Sequence, residues 1–580
     1  MQEKTILYYS PVARQFDRFL EELGELPGVV VRAGGASAVT TFGECSLVWF
    51  PVRMARDVMA FLDRRYAHWL VMDLRFPADY APKDIEEDIR EVYALLQQMD
   101  EVEDLEARYG FHRIAALVGA AEPDPIDALC VSLGHKGVTH VMRQHPRGCA
   151  PKEPYLGALM QHLVAWIRKP RARKNALCLS GGGITGIFYE LGAVKCLDDC
   201  LIGAPDDPLP PINQFDMYFG ISAGAVNCGV LTAGYAVEEM MAAIAGVKGG
   251  RMAPLDLSLF NLSHFHFFDV MRRLRQAVLS SLGAFQRAFW RRQFPDIDKL
   301  LLDYTELVGP PFHSNHFEKL IAALLQVEGA TNDFRALPRE LYIGASDQDA
   351  KKHVLFGAEE LRDIPISKAI QASLSIHPAF SAVEIEGRYY EDGAVTSTSG
   401  FSEAIRRGAN LIFVFDPFLP FVSKEAGYTN RRGILYNIDQ DIRTISFTRY
   451  ESVRNWALRK HPNVSSYTFV PSNRSRQLLS NNPMDHRPFL LIWRDAYLST
   501  FRRIELLRHR IQGDLEAHGW GLSLDKARRI AEQLENNESP AFSDFFLERD
   551  VVIRTPPLSL QQSPRKRSAV EETYGRRAAG

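Results

Sequence analysis

One serine of the chain lies in a pattern that could make it a nucleophile. The pentapeptide Gly220-Ile-Ser-Ala-Gly224 stands between a short apolar run and a helical pattern over 225–235. A sharp turn from strand to helix leaves a serine hydroxyl free at the helix N-terminus, and it needs glycines where side chains would clash. The pattern predicts Ser222 as a nucleophile, although short Gly/Ser patterns also occur by chance.

A second segment is suited to holding an anion. The run Ser180-Gly-Gly-Gly-Ile-Thr-Gly186 follows one apolar strand pattern and precedes a helical one. Consecutive residues without side chains let backbone N–H groups converge on negative charge. The anion could be a phosphate or the oxyanion of an acyl-transfer intermediate. Nucleotide binding is disfavoured because the run has neither a Walker ending nor the G-x-G-x-x-G spacing.

The third segment is Tyr390-Glu-Asp-Gly-Ala394, in which Asp392 closes an apparent strand and Gly393 follows at once. An Asp-Gly pair favours a turn, which would present the carboxylate at the edge of a sheet. By itself this is an ordinary turn.

Taken in order, the Gly-rich run, the G-x-S-x-G pentapeptide and the Asp-Gly turn resemble the patatin-like phospholipase family. The resemblance covers about residues 175–416. Further segments agree with it, namely 341–347 with 354–357, 369–373 with 378–380, and 408–414.

The resemblance implies a catalytic pair without histidine. Ser222 would attack an ester carbonyl, Asp392 would take its proton directly, and the N–H groups of Gly181, Gly182 and Gly183 would hold the oxyanion. A carboxylate can act in this way when it is held within hydrogen-bond reach in a poorly solvated site. Gly186, Gly220, Gly224 and Gly393 complete the motifs. No metal ion and no organic cofactor are implied.

The chain departs from the family at two places. Thr185 stands where the family often has a basic residue, and Val395-Thr-Ser-Thr-Ser-Gly400 replaces the usual Asn-x-Pro after Asp-Gly. His377 could be considered as a triad histidine, but its place in the segment before the acid favours a structural role.

The elements that must position these residues are predicted to form an α/β fold with several units. Residues 1–145 alternate apolar strand runs with helical patterns, which is typical of a doubly wound α/β domain with a parallel sheet. Asp73 closes one strand, Lys136 precedes another, and the layout weakly resembles a degenerate receiver domain. The acidic pair of a receiver is replaced by Tyr8-Tyr9-Ser10, so an unrelated α/β domain is the alternative.

The rest of the chain is predicted in four parts. Residues 146–174 form a linker and a bridging helix that ends in the basic cluster 168–174, and 175–416 form a three-layer α/β/α hydrolase domain. Residues 417–554 are predicted to be a mostly helical extension, and 555–580 a disordered tail.

An aromatic-rich insert at 255–326 interrupts the hydrolase domain. Its apolar residues keep near-helical spacing with arginines between them, which fits a cap over the active site or a lid or anchor at a membrane surface. His264 and His266 lack a third ligand at a convincing spacing and are predicted to be structural.

Composition limits the classes of partner. The 580 residues carry 68 Lys and Arg against 71 Asp and Glu, a net charge of −3, so no global field indicates nucleic acid. The start of the chain shows no secretion signal, which predicts a cytoplasmic protein with peripheral contact to membranes at most. The seven scattered Cys indicate neither a disulfide framework nor a zinc site.

The sequence thus predicts a lipid acyl hydrolase of phospholipase A type that meets its ester substrate at a lipid interface. It identifies no protein partner. A neutral-lipid or triacylglycerol esterase of the same mechanism, favoured by Thr185, and an inactive lipid-binding signalling protein are the alternatives.

Overall fold

The structure is a computed structural model. It describes residues 3–34, 37–43, 45–77, 80–119, 123–143, 155–168, 174–248, 250–255, 314–327, 329–377, 380–461, 463–481 and 485–547. Most of the predicted insert, the tail from 555, the basic residues 169–173 and both histidines of the His264–His266 pair lie outside the described residues.

A first sheet and its helices come from the N-terminal part of the chain. In order these elements are β1 Glu3–Tyr9, α1 Gln15–Gly24, β2 Val29–Gly34, β3 Ser37–Phe42, β4 Cys45–Val52, α2 Ala55–Leu62, β5 Trp69–Leu74, α3 Pro82–Asp100, β6 Ile114–Val118, α4 Pro123–Lys136, β7 His140–Arg143 and α5 Tyr155–Arg168.

The first sheet is covered on both faces, as the sequence predicts for a doubly wound domain. Its strands follow the order β2-β3-β4-β1-β5-β6-β7, and the five from β4 to β7 in that order are parallel. Helices α1 and α5 pack on one face, and α2, α3 and α4 on the other. Strands buried on two faces are largely apolar, which is why β6 is a continuous hydrophobic run and β5 is one except for Asp73.

The edge of this sheet was not predicted. Strands β2 and β3 form an antiparallel hairpin, and β3 also pairs antiparallel with β4, so the sheet is mixed rather than wholly parallel. The sequence signal was the Gly34-Gly35 pair between two alternating runs, which is typical of a hairpin.

A second sheet holds the three motifs. Its elements and those that pack on it are β8 Lys174–Leu179, α6 Gly183–Cys200, β9 Leu201–Ile202, β10 Met217–Ile221, α7 Ala223–Thr232, α8 Val237–Ile244, α9 Asn315–Leu324, β11 Glu340–Asp347, β12 Lys352–Phe356, α10 Ile366–Ser373, β13 Val383–Ile385, β14 Arg388–Asp392, α11 Phe401–Arg406, β15 Ala409–Phe415, α12 Ile434–Lys460, β16 Ser465–Phe469, α13 Asn473–Asn481, α14 Phe489–Leu506, α15 Arg508–Glu516, β17 Gly521–Leu522 and α16 Asp525–Glu535.

The second sheet is the middle of three layers, so the predicted α/β/α architecture is confirmed. Its order is β13-β14-β11-β10-β8-β15-β16, with β12 paired to β11. Helices α11 and α12 cover one face, while α6, α7 and several helices from beyond residue 480 cover the other. The C-terminal stretch is helical as predicted, but it also contributes the edge strand β16.

Helix α6 is the centre of the larger layer. Nearly all of its residues are buried, including Glu190 and Lys195, and it packs along α14. Gly192 makes this contact possible, because a Cβ atom there would lie 2.7 Å from the carbonyl oxygen of Trp493.

Ion pairs around the buried Glu106 join the units of the two sheets. Arg503 of α14 binds both Asp104 and Glu106, and Arg454 of α12 also binds Glu106. Glu106 in addition accepts the backbone N–H of Thr468 in β16. Since unpaired charges are costly to bury, this network ties the two units together.

Within the part of the chain that the structure describes, none of the helices has the length and apolar character that crossing a bilayer requires.

Gly192→Ala tests the α6 and α14 contact. We expect a lower melting temperature, since overpacking costs about 1–3 kcal/mol and outweighs the gain of up to about 1 kcal/mol in helix propensity. Gly134→Ala is the matched control because a Cβ atom at Gly134 of helix α4 would meet nothing within 4 Å. Calorimetry should show a loss for the first variant and none for the second; equal losses would contradict the tight contact.

Candidate active site

Ser222 lies in a strained turn between strand and helix. Strand β10 ends at Ile221, α7 begins at Ala223, and Ser222 between them has φ 53° and ψ −120°. Positive φ is unusual for a residue with a side chain, and such strain is often found at functional sites.

The two flanking glycines allow this turn. A Cβ atom at Gly220 would lie 2.5 Å from Cα of Ala225, and one at Gly224 would lie 2.1 Å from the carbonyl oxygen of Leu179. Any side chain at either position would therefore displace backbone. The structure thus gives a steric reason for both glycines of the pentapeptide.

A serine far along the chain holds the turn in place. The N–H of Ser222 donates to Oγ of Ser373 at 2.8 Å, and that hydroxyl donates to the carbonyl of Gly344 at 2.6 Å. Because all three groups are buried, losing Ser373 would leave a donor and an acceptor unpaired. Ser373 lies in a segment that resembles the family, but its sequence neighbourhood indicates no contact with Ser222.

The Gly-rich run lies against Ser222. A Cβ atom at Gly181 would be 3.0 Å from Cβ of Ser222 and 3.6 Å from its hydroxyl oxygen. Gly182 faces Pro417, whose ring would be 2.9 Å from an added Cβ. Only residues without side chains fit, so backbone rather than side chain borders the serine.

Backbone N–H groups are available at this point. Helix α6 begins at Gly183, and the first N–H groups of a helix have no partner within it. They carry partial positive charge and favour an anion. Gly186 lies close to the same turn, since its Cβ atom would be 3.4 Å from Cβ of Ala223.

Thr185 brings no charge to this loop. Its side chain is fully buried, and its hydroxyl donates to the carbonyl of Gly182 at 3.4 Å. Thr185, at the position where the family often has a basic residue, therefore stabilises the loop through this hydrogen bond.

Asp392 reaches the same end of the sheet through β11. Strand β11 lies between β10 and β14, with Gly344 opposite Ile221 and Ala345 opposite Asp392. The two strand ends that carry Ser222 and Asp392 are therefore in register across one strand, although the residues are 170 positions apart.

The carboxyl of Asp392 is buried and sparsely hydrogen bonded. Its Oδ1 accepts the N–H of Ala394 at 2.8 Å, while Oδ2 is enclosed and accepts no bond of good geometry. Burial raises the pKa of Asp392 to about 7, against the lowering effects of the Ala394 N–H and of the neighbouring Ser222 side chain. The two side chains are thus adjacent, with the carboxyl poised to exchange a proton near neutral pH.

The loop after Asp392 is held by groups that the sequence did not reveal. A Cβ atom at Gly393 would lie 2.4 Å from the carbonyl oxygen of Gly344. The guanidinium of Arg449, on helix α12, donates to the carbonyl oxygens of Ala394 at 2.9 Å and Val395 at 3.1 Å. Arg449 therefore supports the loop that departs from the family pattern.

His377 does not join Ser222 and Asp392. Its Nδ1 atom lies 3.4 Å from the carboxylate of Glu391, and its side chain is half exposed. Among the described residues no group of three His, Cys, Asp or Glu side chains could hold a metal ion.

Asp73 of the first unit is fully engaged. It is buried and binds the hydroxyl of Tyr8, the amide of Gln15 and the guanidinium of Arg75. Lys136 instead binds Asp100 at 2.6 Å. The parallel strand order β4-β1-β5-β6-β7 is that of flavodoxin-like folds, but these residues do not assemble an open acidic site.

The central region of the chain is similar to a known family. Residues 177–405 match the family model described as patatin-like phospholipase. One similar solved structure is VipD from Legionella pneumophila, with 14% identity, coverage of 63% of this chain and 76% of that chain, and a TM-score of 0.26. No curated protein matches the chain.

Replacing the buried acid should change how the melting temperature depends on pH. Because the pKa of Asp392 is about 7 in the folded chain and ordinarily near 3.8, its ionisation destabilises the fold increasingly as pH rises through that interval. Asp392→Asn should therefore melt at a higher temperature than the unsubstituted chain at about pH 8, with a smaller difference at about pH 5. The exposed Asp441 is the control, and Asp441→Asn should give no pH-dependent difference. A constant difference for Asp392→Asn would contradict the burial argument.

Proposed function

We propose that the chain, whose residues 177–405 match the patatin-like phospholipase family model, hydrolyses acyl esters of lipids with Ser222 as nucleophile and Asp392 as its base. The observation that carries the proposal is the meeting of Ser222, the buried Asp392 carboxyl and the Gly181 backbone at one end of the second sheet.

In the first half-reaction Ser222 Oγ attacks the ester carbonyl carbon while Asp392 takes the hydroxyl proton. The carbonyl oxygen becomes an oxyanion, for which the N–H groups of the Gly181–Gly183 run and the start of α6 provide donors. Such donors are each worth on the order of 10²–10³ in rate. Asp392 then returns the proton to the leaving alcohol as the tetrahedral intermediate collapses to an acyl-serine.

In the second half-reaction water replaces the alcohol. Asp392 takes a proton from water as the water oxygen attacks the acyl carbon, and the proton returns to Ser222 as the acid leaves. The net change is one ester and one water converted to one acid and one alcohol. The same carboxyl serves both halves, as expected of a group whose pKa lies near the working pH.

A glycerophospholipid is the proposed substrate, and a neutral lipid is the second candidate. Thr185 favours the neutral lipid because it supplies no cation beside the Gly-rich run. Parallel assays of phospholipid and triacylglycerol at matched interfacial concentration distinguish the two.

An active-site probe tests the nucleophile. A fluorophosphonate should label the folded chain at Ser222, because the reagent requires an activated serine. Ser222→Ala should abolish labelling, and Asp392→Asn should reduce it by several orders of magnitude, as removing a proton acceptor from an activated serine does. The exposed Ser539 supplies the control, Ser539→Ala, which should label normally. An unlabelled but folded chain would support the non-enzymatic, lipid-binding alternative.

The pH profile tests the base. Since Asp392 acts only when ionised, kcat/KM for a soluble acyl ester should rise with pH and level off above about 7, where its pKa lies. The measurement is initial rate at low substrate across that interval. A profile that is flat from about pH 5 to 8 would rule out a base with this pKa.

A further inference from the structure

Helix α12 (Ile434–Lys460) presents an apolar face to solvent. Six residues between 41% and 74% exposed share this face, which we term the apolar stripe: Ile434, Ile438, Ile442, Ile445, Val453 and Trp456. Their spacings of three, four or eight residues keep them within about one third of the helix circumference. The stripe extends over about 33 Å at 1.5 Å per residue.

The stripe belongs to a helix that is already packed. Tyr450 and Ala457 on another side of α12 are buried in the core of the second sheet. Arg443 and Arg454 are likewise buried. The exposed residues are therefore a second apolar face, and no described residue covers it. Contiguous exposed apolar patches of this kind mark interaction sites.

Hydroxyl groups on and beside this face are already hydrogen bonded within the helix. The hydroxyls of Thr444, Thr448 and Ser452 donate to the carbonyls of the residues four positions earlier, at 2.7 to 2.8 Å. Hydroxyls that are satisfied internally cost little to desolvate. This face can therefore be covered by an apolar medium.

The stripe is continuous with the proposed active site. Arg449 lies between Ile445 and Val453 along the helix, and its guanidinium holds the loop that follows Asp392. Val395 of that loop is itself 47% exposed. A surface that covers the stripe would thus also lie beside the acid of the site.

Basic residues at both ends of the stripe indicate what covers it. Lys424, Arg431 and Arg432 are exposed before the helix begins, with Arg431 paired to the exposed Glu425, and Arg459 and Lys460 are exposed where it ends. A second copy aligned with the stripe, parallel or antiparallel, would bring basic ends together. Like charges in contact oppose association, whereas an anionic surface attracts both ends.

We propose that the apolar stripe docks on an anionic lipid surface and thereby brings the active site to its substrate. This inference rests on the proposed function, since lipid hydrolysis is what gives the site a reason to face a lipid surface. Trp456 and the flanking cations occupy positions typical of residues at the boundary between lipid and water.

Vesicles of uncleavable lipid test the stripe apart from the chemistry. Ether-linked phosphatidylcholine lacks the acyl ester, so co-sedimentation of the full chain reports binding alone. We expect binding that strengthens when ether-linked phosphatidylglycerol is added and weakens with salt. Ile438→Asp should weaken it about tenfold or more, because a charge replaces an exposed apolar side chain that the lipid would cover. Val131→Asp, on an exposed residue of α4, is the matched control and should bind normally.

A second readout locates the contact. Brominated lipid should quench part of the fluorescence of the seven-Trp chain, and Trp456→Phe should remove most of that quenching while binding persists. This variant keeps an aromatic side chain on the surface, so its result does not depend on a drastic substitution.

Each opposing result overturns the proposal. The proposal fails if the unsubstituted chain does not bind the vesicles or if Ile438→Asp binds as well as the unsubstituted chain. It also fails if Val131→Asp loses as much binding as Ile438→Asp. A concentration-dependent dimer in light scattering that Ile438→Asp dissociates would assign the stripe to a second copy instead. Probe labelling of Ser222 is measured without vesicles, so failure of the proposed function and failure of this inference are distinguishable.

Discussion

The site depends on the close approach of backbone to backbone around strand β11. Gly344 of this strand lies opposite Ile221, its carbonyl accepts the Ser373 hydroxyl, and the same carbonyl leaves no room for a side chain at Gly393. A Cβ atom at Gly344 would itself lie 2.8 Å from the His353 ring. The serine turn and the acid turn are thus fixed against a single glycine, which determines the distance between them.

This packing sets the electrostatics as well. The carboxyl of Asp392 is enclosed by backbone, with one N–H donor and the serine side chain beside it. This environment raises its pKa to about 7, so that its ionisation costs stability. Donors are concentrated instead at the start of α6, close to Ser222, where negative charge would develop. In the proposed reaction the poorly solvated acid would take the proton of the serine hydroxyl. The donor-rich loop would stabilise the negative charge that forms on the carbonyl oxygen.

The sequence predicted local features well and long-range ones poorly. Strand and helix patterns indicated β8, β10, β14 and the α/β/α fold, because periodicity and glycine positions are local signals. Ser373, Gly344 and Arg449 were missed as partners, since each acts on residues between about 30 and 150 positions away and nothing in its own neighbourhood indicates that contact. The receiver-like first unit was likewise ambiguous, because whether Asp73 is open or engaged depends on Arg75 and Tyr8 folding back onto it.

Glu106 of the first unit contacts the edge strand of the second sheet. Strand β16 is the last strand of the second sheet, and open strand edges invite pairing with other chains. Here the outer N–H of Thr468 is taken by a carboxylate from the first unit, and Arg454 and Arg503 neutralise that carboxylate. At Thr468 the outer edge of the second sheet is therefore covered by a side chain of the first unit, and the buried Glu106 and Arg454 would both lose their partners if the two units were separated.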